Sequence, residues 1–154
     1  MITSWRIVTS EYASTAFTGE GASLYGGRWN LQGTPLVYTA QSAALAALEI
    51  LVHTRREKLL RRYVLFACLF DESLVESIER ENLPDDWRAE PAPAVLADMG
   101  QSWIQSRASA VLCVPNAIIE SELTYVLNPA HPDFAGIDIR DPIPFALDLR
   151  LLSR

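Results

Sequence analysis

The chain has 154 residues, of which 49% are apolar and 21% charged, and a formal net charge of −6, with a pI of about 4.9 and a mean hydropathy of +0.09. That length fits one compact domain able to bury roughly two thirds of its unfolded surface, and the composition excludes a disordered polymer. The acidic balance repels a phosphate backbone, so direct nucleic-acid binding is not expected. With no charged leader, leading apolar stretch or run of about 18 apolar residues, neither secretion nor a membrane is expected, and the predicted compartment is the cytoplasm.

In chain order, Trp5-Arg6-Ile7-Val8 reads as a first strand. Residues 10–27, rich in Ser, Thr, Gly and Ala and without periodicity, read as a loop. In it Gly21, Gly26 and Gly27 permit close backbone approach, whether to a ligand or within an ordinary tight turn. After a turn at Leu31-Gln32-Gly33-Thr34-Pro35, residues 36–40 form a short strand entering the centre of the fold. Residues 41–55 predict a helix capped by Ser42 or Thr39, with Ala44, Leu45, Leu48, Leu51 and Val52 on one arc and Glu49 at its margin, where a carboxylate wants a partner. The basic run Arg55, Arg56, Lys58, Arg61, Arg62 reads as a solvated helix end, with a phosphate or acidic partner as the alternative.

Residues 63–70, apolar without alternation, predict a strand covered on both faces. Residues 71–90 read as an acidic surface connection with a short helix near 73–79. Pro93 opens a helix through about Arg107, with Val95, Leu96, Met99, Trp103 and Ile104 along one face. Residues 110–114 and 123–127 are further strands, the prolines of 128–134 forbid regular structure, and residues 137–139 and 145–152 are closing strands. The sum is an α+β fold, one compact domain with a mixed, mainly antiparallel sheet and flanking helices. Cys68 and Cys113 fall inside strands and read as buried free thiols, a single disulfide being the other option.

Two histidines and two cysteines at none of the usual zinc spacings predict no metal site. Neither a hydrolase elbow nor a phosphate-cradling loop is present, and His131 between Pro129 and Pro132 reads as a turn residue. Arg28, in Gly26-Gly27-Arg28-Trp29-Asn30, offers a guanidinium fork to a phosphate or carboxylate with Trp29 packed beneath, or equally an ion pair to Glu49. Tyr38 alone reads as a core aromatic whose hydroxyl finds a partner. Together an arginine for a diphosphate, an aromatic for a flat ring and a carboxylate for a ribose hydroxyl suit a dinucleotide, although spacing does not establish one.

The blocks Phe17-Thr18-Gly19-Glu20-Gly21-Ala22, Gly26-Gly27-Arg28-Trp29-Asn30, Gly33-Thr34-Pro35, Val37-Tyr38-Thr39-Ala40 and Leu45-Ala46-Ala47-Leu48-Glu49 closely resemble the RES domain family. The likeness continues through Leu51-Val52-His53, Val114-Pro115 and Leu127-Asn128-Pro129-Ala130-His131-Pro132-Asp133-Phe134, so that residues 1–154 read as one RES domain. The resemblance implies a fold similar to ADP-ribosyltransferases. It implies the toxin half of a bacterial toxin–antitoxin pair whose partner is an Xre-type helix-turn-helix protein, and an activity on NAD as substrate, by hydrolysis or phosphorolysis at the nicotinamide ribose. Transfer of ADP-ribose to a protein is the alternative. The family's arginine, tyrosine and glutamate fall on Arg28, Tyr38 and Glu49, assigned to diphosphate, nicotinamide and ribose. Two positions depart from the pattern: Asn116 stands where a serine usually follows Val-Pro, and Thr124 where an asparagine often stands. Asn116 is expected to hydrogen-bond substrate, or else to mark an attenuated domain that acts as a binding module.

Overall fold

The computed structural model describes residues 1–153. Eight strands form one sheet: β1 (Ile2–Thr9), β2 (Val37–Ala40), β3 (Tyr63–Phe70), β4 (Val75–Ser77), β5 (Val111–Pro115), β6 (Leu123–Leu127), β7 (Asp138–Ile139) and β8 (Ile143–Phe145). The order is β4-β5-β6-β2-β1-β3-β7, with β8 also on β3. Every pairing is antiparallel except β4 with β5, so the sheet is mixed and mainly antiparallel, as expected from the sequence. Three α-helices accompany it: α1 (Glu20–Tyr25), α2 (Ala43–His53) and α3 (Ala94–Ser106).

The sheet is two ribbons joined at a narrow seam. β1 and β3 pair over eight residues, from Ile2–Phe70 to Thr9–Tyr63, and β2 pairs with β6 over four. β1 and β2, by contrast, share only the Trp5–Ala40 register. Beyond it the two strands part, and their ladder groups need other partners because an unpaired buried backbone group costs free energy. The Arg6 side chain supplies one, donating from Nη1 to the Tyr38 carbonyl at 2.9 Å. The parting of β1 from β2 opens the floor of a cleft.

α3 locks the turn that precedes β2. Leu96 and Trp103 are buried with Trp29, Leu36, Trp87 and Val126 in one cluster, and a Cβ on Gly100 would come within 1.7 Å of the Trp29 carbonyl oxygen. Backbone therefore meets backbone there, and only glycine fits. Truncating so buried a tryptophan as Trp29 costs about 3–5 kcal/mol in comparable cores. α2 packs Leu45 and Ala46 against Ile7, Ala40 and Tyr63. Its N-cap is Ser42, whose hydroxyl accepts from the Leu45 N–H at 3.0 Å, one of the two predicted caps.

Four local expectations change. Residues 10–27 contain a 3-10 turn at Ser10–Thr15 and the six-residue α1, elements too short to carry an apolar period. The segment around 73–79 opens with a 3-10 turn at Glu72–Leu74 and continues as strand β4, drawn out of local helical propensity by parallel pairing with Val111–Cys113. Residues 145–152 end in a 3-10 turn at Leu149–Leu152, with only Ile143–Phe145 in the sheet. On α2, Ala44 and Val52 are exposed rather than on the buried arc, Val52 by 59%; the helix is apolar nearly all round, so periodicity could not orient it. Cys68 and Cys113 are buried free thiols.

Candidate functional site

The cleft encloses ≈ 980 Å³, and Arg28, Tyr38, Glu49 and Asn116 all line it. They arrive from four places: the turn before β2, β2 itself, the last turns of α2, and the residue after β5.

Tyr38 and the Arg28 turn are built as one unit. The Tyr38 hydroxyl donates to Asn30 Oδ1 at 2.6 Å and accepts from the Trp29 N–H at 3.0 Å, so the phenol is a structural pin and its ring forms cleft wall. Burial, set against the Trp29 hydrogen bond and the Arg28 charge, pushes its pKa far up and keeps the hydroxyl protonated. Gly27 is demanded by this pin, because a Cβ would lie 2.7 Å from Asn30 Oδ1 and 2.8 Å from the Tyr38 hydroxyl. Asn30, 2% exposed, spends its amide on the carbonyls of Ala22, Leu31 and Thr34.

Arg28 pairs with Glu90, at 3.2 Å, and not with Glu49. Its Nη1 also donates to the carbonyls of Trp87 at 2.8 Å and Ala89 at 3.1 Å. The guanidinium therefore ties down residues 84–92, a segment with no helix or strand of its own that forms one cleft wall. Arg88 ties the same segment to the opposite side, donating to the carbonyls of Ala117 and Ile118 and to Glu120.

Glu49 is held at both oxygens. Asn116 Nδ2 donates to Oε1 at 2.8 Å, and His53 Nε2 lies 3.0 Å from Oε2, one helical turn away. Burial alone would raise the Glu49 pKa. The hydrogen bonds from His53 and Asn116 and the charges of His53 and Arg28 outweigh it, leaving the pKa below its ordinary value. The same contact, led by the hydrogen bond to Glu49, raises that of His53 despite burial. The signs follow by linkage. The Glu49 contribution to stability is present above its unfolded pKa and is lost as pH falls through the lowered folded value. That of His53 is complete below its unfolded pKa and is lost as pH rises through the raised one. Both partners are ionised between the two folded values.

Asn116 is 2% exposed and its amide is fully spent inside the protein. Nδ2 also donates to Thr124 Oγ1 at 2.9 Å, and Oδ1 accepts from the N–H groups of Ile118 and Ile119 at 2.8 and 2.9 Å. All four bonding positions of a primary amide are thereby filled. Asn116 consequently faces Glu49 and not open cleft. The two positions that depart from the family pattern, 116 and 124, are in direct contact.

One residue that sequence reasoning missed is Arg6. It lines the cleft at the seam, donating from Nε to the Ala16 carbonyl at 2.8 Å and from Nη1 to Tyr38. Burial lowers its pKa to about 10, with the nearby Cys68 thiol opposing, so it stays a cation at neutral pH. Among the described residues no carboxylate pairs with it. The available signal was an arginine set between Trp5 and the apolar pair Ile7 and Val8. His131 is a turn residue, its Nδ1 accepting from the Asp133 N–H and its Nε2 bonded to the Arg107 carbonyl. The basic run after α2 is exposed, with Arg61 paired to Glu11 and Arg56 bonded to the Leu152 carbonyl. No helix among the described residues is long and apolar enough to cross a membrane.

Chemically, the cleft brings a held, ionised carboxylate, two arginines and an aromatic ring to one lining. That suits a ligand with a polyhydroxylated, electron-poor centre and an anionic tail.

Known proteins share both this sequence and this fold. A family model described as the RES domain matches residues 3–148. The chain is 38% identical over 148 residues to "Toxin Res" of Yersinia enterocolitica serotype O:8 / biotype 1B, covering 96% of this chain and 97% of that protein. It is 41% identical over 155 residues to "Prs ADP-ribosylating toxin" of Sphingobium sp. strain YBL2, covering 97% and 96%. The fold matches a chain in the crystal structure of the M. tuberculosis MbcT-MbcA toxin-antitoxin complex with a TM-score of 0.77 over 94% of this chain and 84% of that one, at 18% identity.

Proposed function

The chain belongs to the RES domain family, and from that premise we propose that it is the toxin of a toxin–antitoxin pair that cleaves the nicotinamide–ribose bond of NAD in the cleft described above. The observation that carries this reading is Glu49, a carboxylate kept ionised and held at both oxygens in a cleft that also presents Arg28 and Arg6.

Breaking that bond builds positive charge on the ribose, as in other glycosyl cleavages. Glu49 stabilises the charge electrostatically and orients ribose hydroxyls, which accelerates the reaction because the interaction strengthens as the charge develops. Arg28 and Arg6 hold the diphosphate, and the Tyr38 ring flanks nicotinamide. Asn116 positions Glu49 and leaves substrate contact to others. Nicotinamide departs neutral, so no general acid is needed, and water or inorganic phosphate completes the reaction. An antitoxin of the Xre helix-turn-helix type is the partner this role requires. The solved complex with the matching fold is itself a toxin–antitoxin assembly.

Transfer of ADP-ribose to a protein is the second reading, favoured by the relative named an ADP-ribosylating toxin. The experiment is incubation of the purified chain with NAD, with and without phosphate and with lysate, followed by identification of products. Free ADP-ribose indicates hydrolysis, the phosphorylated sugar phosphorolysis, and labelled protein the transfer reaction. Glu49→Gln is expected to lower nicotinamide release about 10²–10³-fold; turnover equal to the parent would sink the assignment of Glu49.

A further inference from the structure

The two clamps on Glu49 differ in kind. Asn116 is buried, saturated by four hydrogen bonds and unable to titrate. His53 occupies the last turn of α2, its side chain is 63% exposed, and among the described residues it bonds Glu49 Oε2 alone, at 3.0 Å. A carboxylate with one oxygen nailed to a buried amide can still swing about that bond, and the contact to His53 removes this freedom. We propose that His53 is a positioning residue for Glu49, fixing the second carboxylate oxygen and, by gaining or losing its proton, deciding the pH range over which the carboxylate is aimed into the cleft. This rests on the reading of Glu49 as the group that stabilises the ribose cation.

The surroundings of His53 support a proton-dependent contact. The charged groups that face it are Glu49 on its own helix, Glu90 from the 84–92 segment and Arg28 from the turn before β2. Two carboxylates and one guanidinium leave the balance in favour of the imidazolium, consistent with the raised pKa. When the proton leaves, the charge attraction goes with it, and the neutral tautomer that carries its hydrogen on Nδ1 presents a lone pair to a carboxylate oxygen. The other neutral tautomer, with its hydrogen on Nε2, still donates but without the charge, so the contact weakens and the exposed ring spends more of its time in solvent. Geometry errors of about 1 Å at such a group cost about 10²-fold in rate.

Two measurements test this. First, nicotinamide release from NAD is followed against pH for the parent, His53→Ala and His53→Gln. The parent's kcat should fall on the alkaline side with an apparent pKa above 6.5, the ordinary histidine value. His53→Ala should lose about 10²-fold in kcat with a much smaller change in KM. His53→Gln, which keeps a neutral donor but no titratable proton or charge, should recover part of that loss, no more than the parent retains at the alkaline end, and have no alkaline limb from this group. Second, the imidazole is titrated by NMR in the parent and in Glu49→Gln. The chain has two histidines, so His53 is assigned by its loss in His53→Ala. Its pKa should drop toward the ordinary value when Glu49 is neutralised. An unmoved His53 pKa in Glu49→Gln overturns the inference whether or not the protein consumes NAD. An alkaline limb unchanged in His53→Gln, or parental kcat in His53→Ala, overturns it in an active protein. A coupled pair in a protein with no turnover instead condemns the reading of Glu49 on which the inference rests.

Discussion

The floor and the rim of the cleft each present an arginine, and the two are managed in opposite ways. Arg6 on the floor sits in the seam where β1 and β2 part, bonded to two carbonyls and, among the described residues, paired with no carboxylate. Arg28 at the rim is bonded to two carbonyls and to Glu90, which is 77% exposed. A part-buried cation whose partners are neutral carbonyls has attraction left for an anion placed beside it. Arg28 is itself part-buried, its side chain 17% exposed, but its carboxylate partner is 77% exposed, so the pair is screened and contributes roughly 0–1 kcal/mol, and Arg28 must give it up to bind elsewhere. On the proposed function, affinity for the diphosphate would come chiefly from the floor, and exchange of partners from the rim.

Three substitutions sharpen or break that contrast. The largest effect is expected from Arg6→Met, which should lower kcat/KM for NAD by about 10²-fold, the scale of one or two hydrogen bonds to a charged group. Thermal unfolding of the same variant shows whether the loss is local, and parental turnover would mean the floor cation binds nothing. Arg28→Lys should cost about tenfold, because a lysine keeps the charge but cannot reach Trp87, Ala89 and Glu90 with one planar fork. A loss exceeding that of Arg6→Met would reverse the assignment of floor and rim. The smallest effect belongs to Glu90→Gln, which frees Arg28 and should lower KM by up to about fivefold at low salt, the difference fading as salt screens the pair. A raised KM would show that Glu90 serves the bound state and does not compete with it.

What the sequence revealed followed the range of the interactions concerned. The helices α2 and α3, the Ser42 cap and strands β3, β5 and β6 were readable because apolar runs, caps and prolines act locally. β4 was not, since three residues become a strand only through partners more than thirty positions away. At the candidate site, Arg28, Tyr38, Glu49 and Asn116 could be picked out by residue type and by likeness to a family, and they share one cleft. Their partners could not be picked out. The pairing of Arg28 with Glu90, the bond from Asn116 to Glu49 and the placement of Arg6 at the seam span 62, 67 and 32 positions. Only the folded sheet brings such distant residues together. Even so, Thr124 and Asn116 each look like a lone departure in one dimension, and in three dimensions they form one hydrogen-bonded pair.

The tryptophans give the seam an optical use. Of the four in the chain, Trp29, Trp87 and Trp103 are 2%, 4% and 5% exposed, whereas Trp5 is half-buried and lines the cleft at the only register that joins β1 to β2. Emission at the red edge of the spectrum therefore comes mainly from Trp5, beside Arg6. A ligand entering the floor is expected to quench or shift that component most, with a smaller response from Trp29, which also lines the cleft, and the least from Trp87 and Trp103. Occupancy of the cleft can thus be followed by intrinsic fluorescence in variants that have lost all turnover.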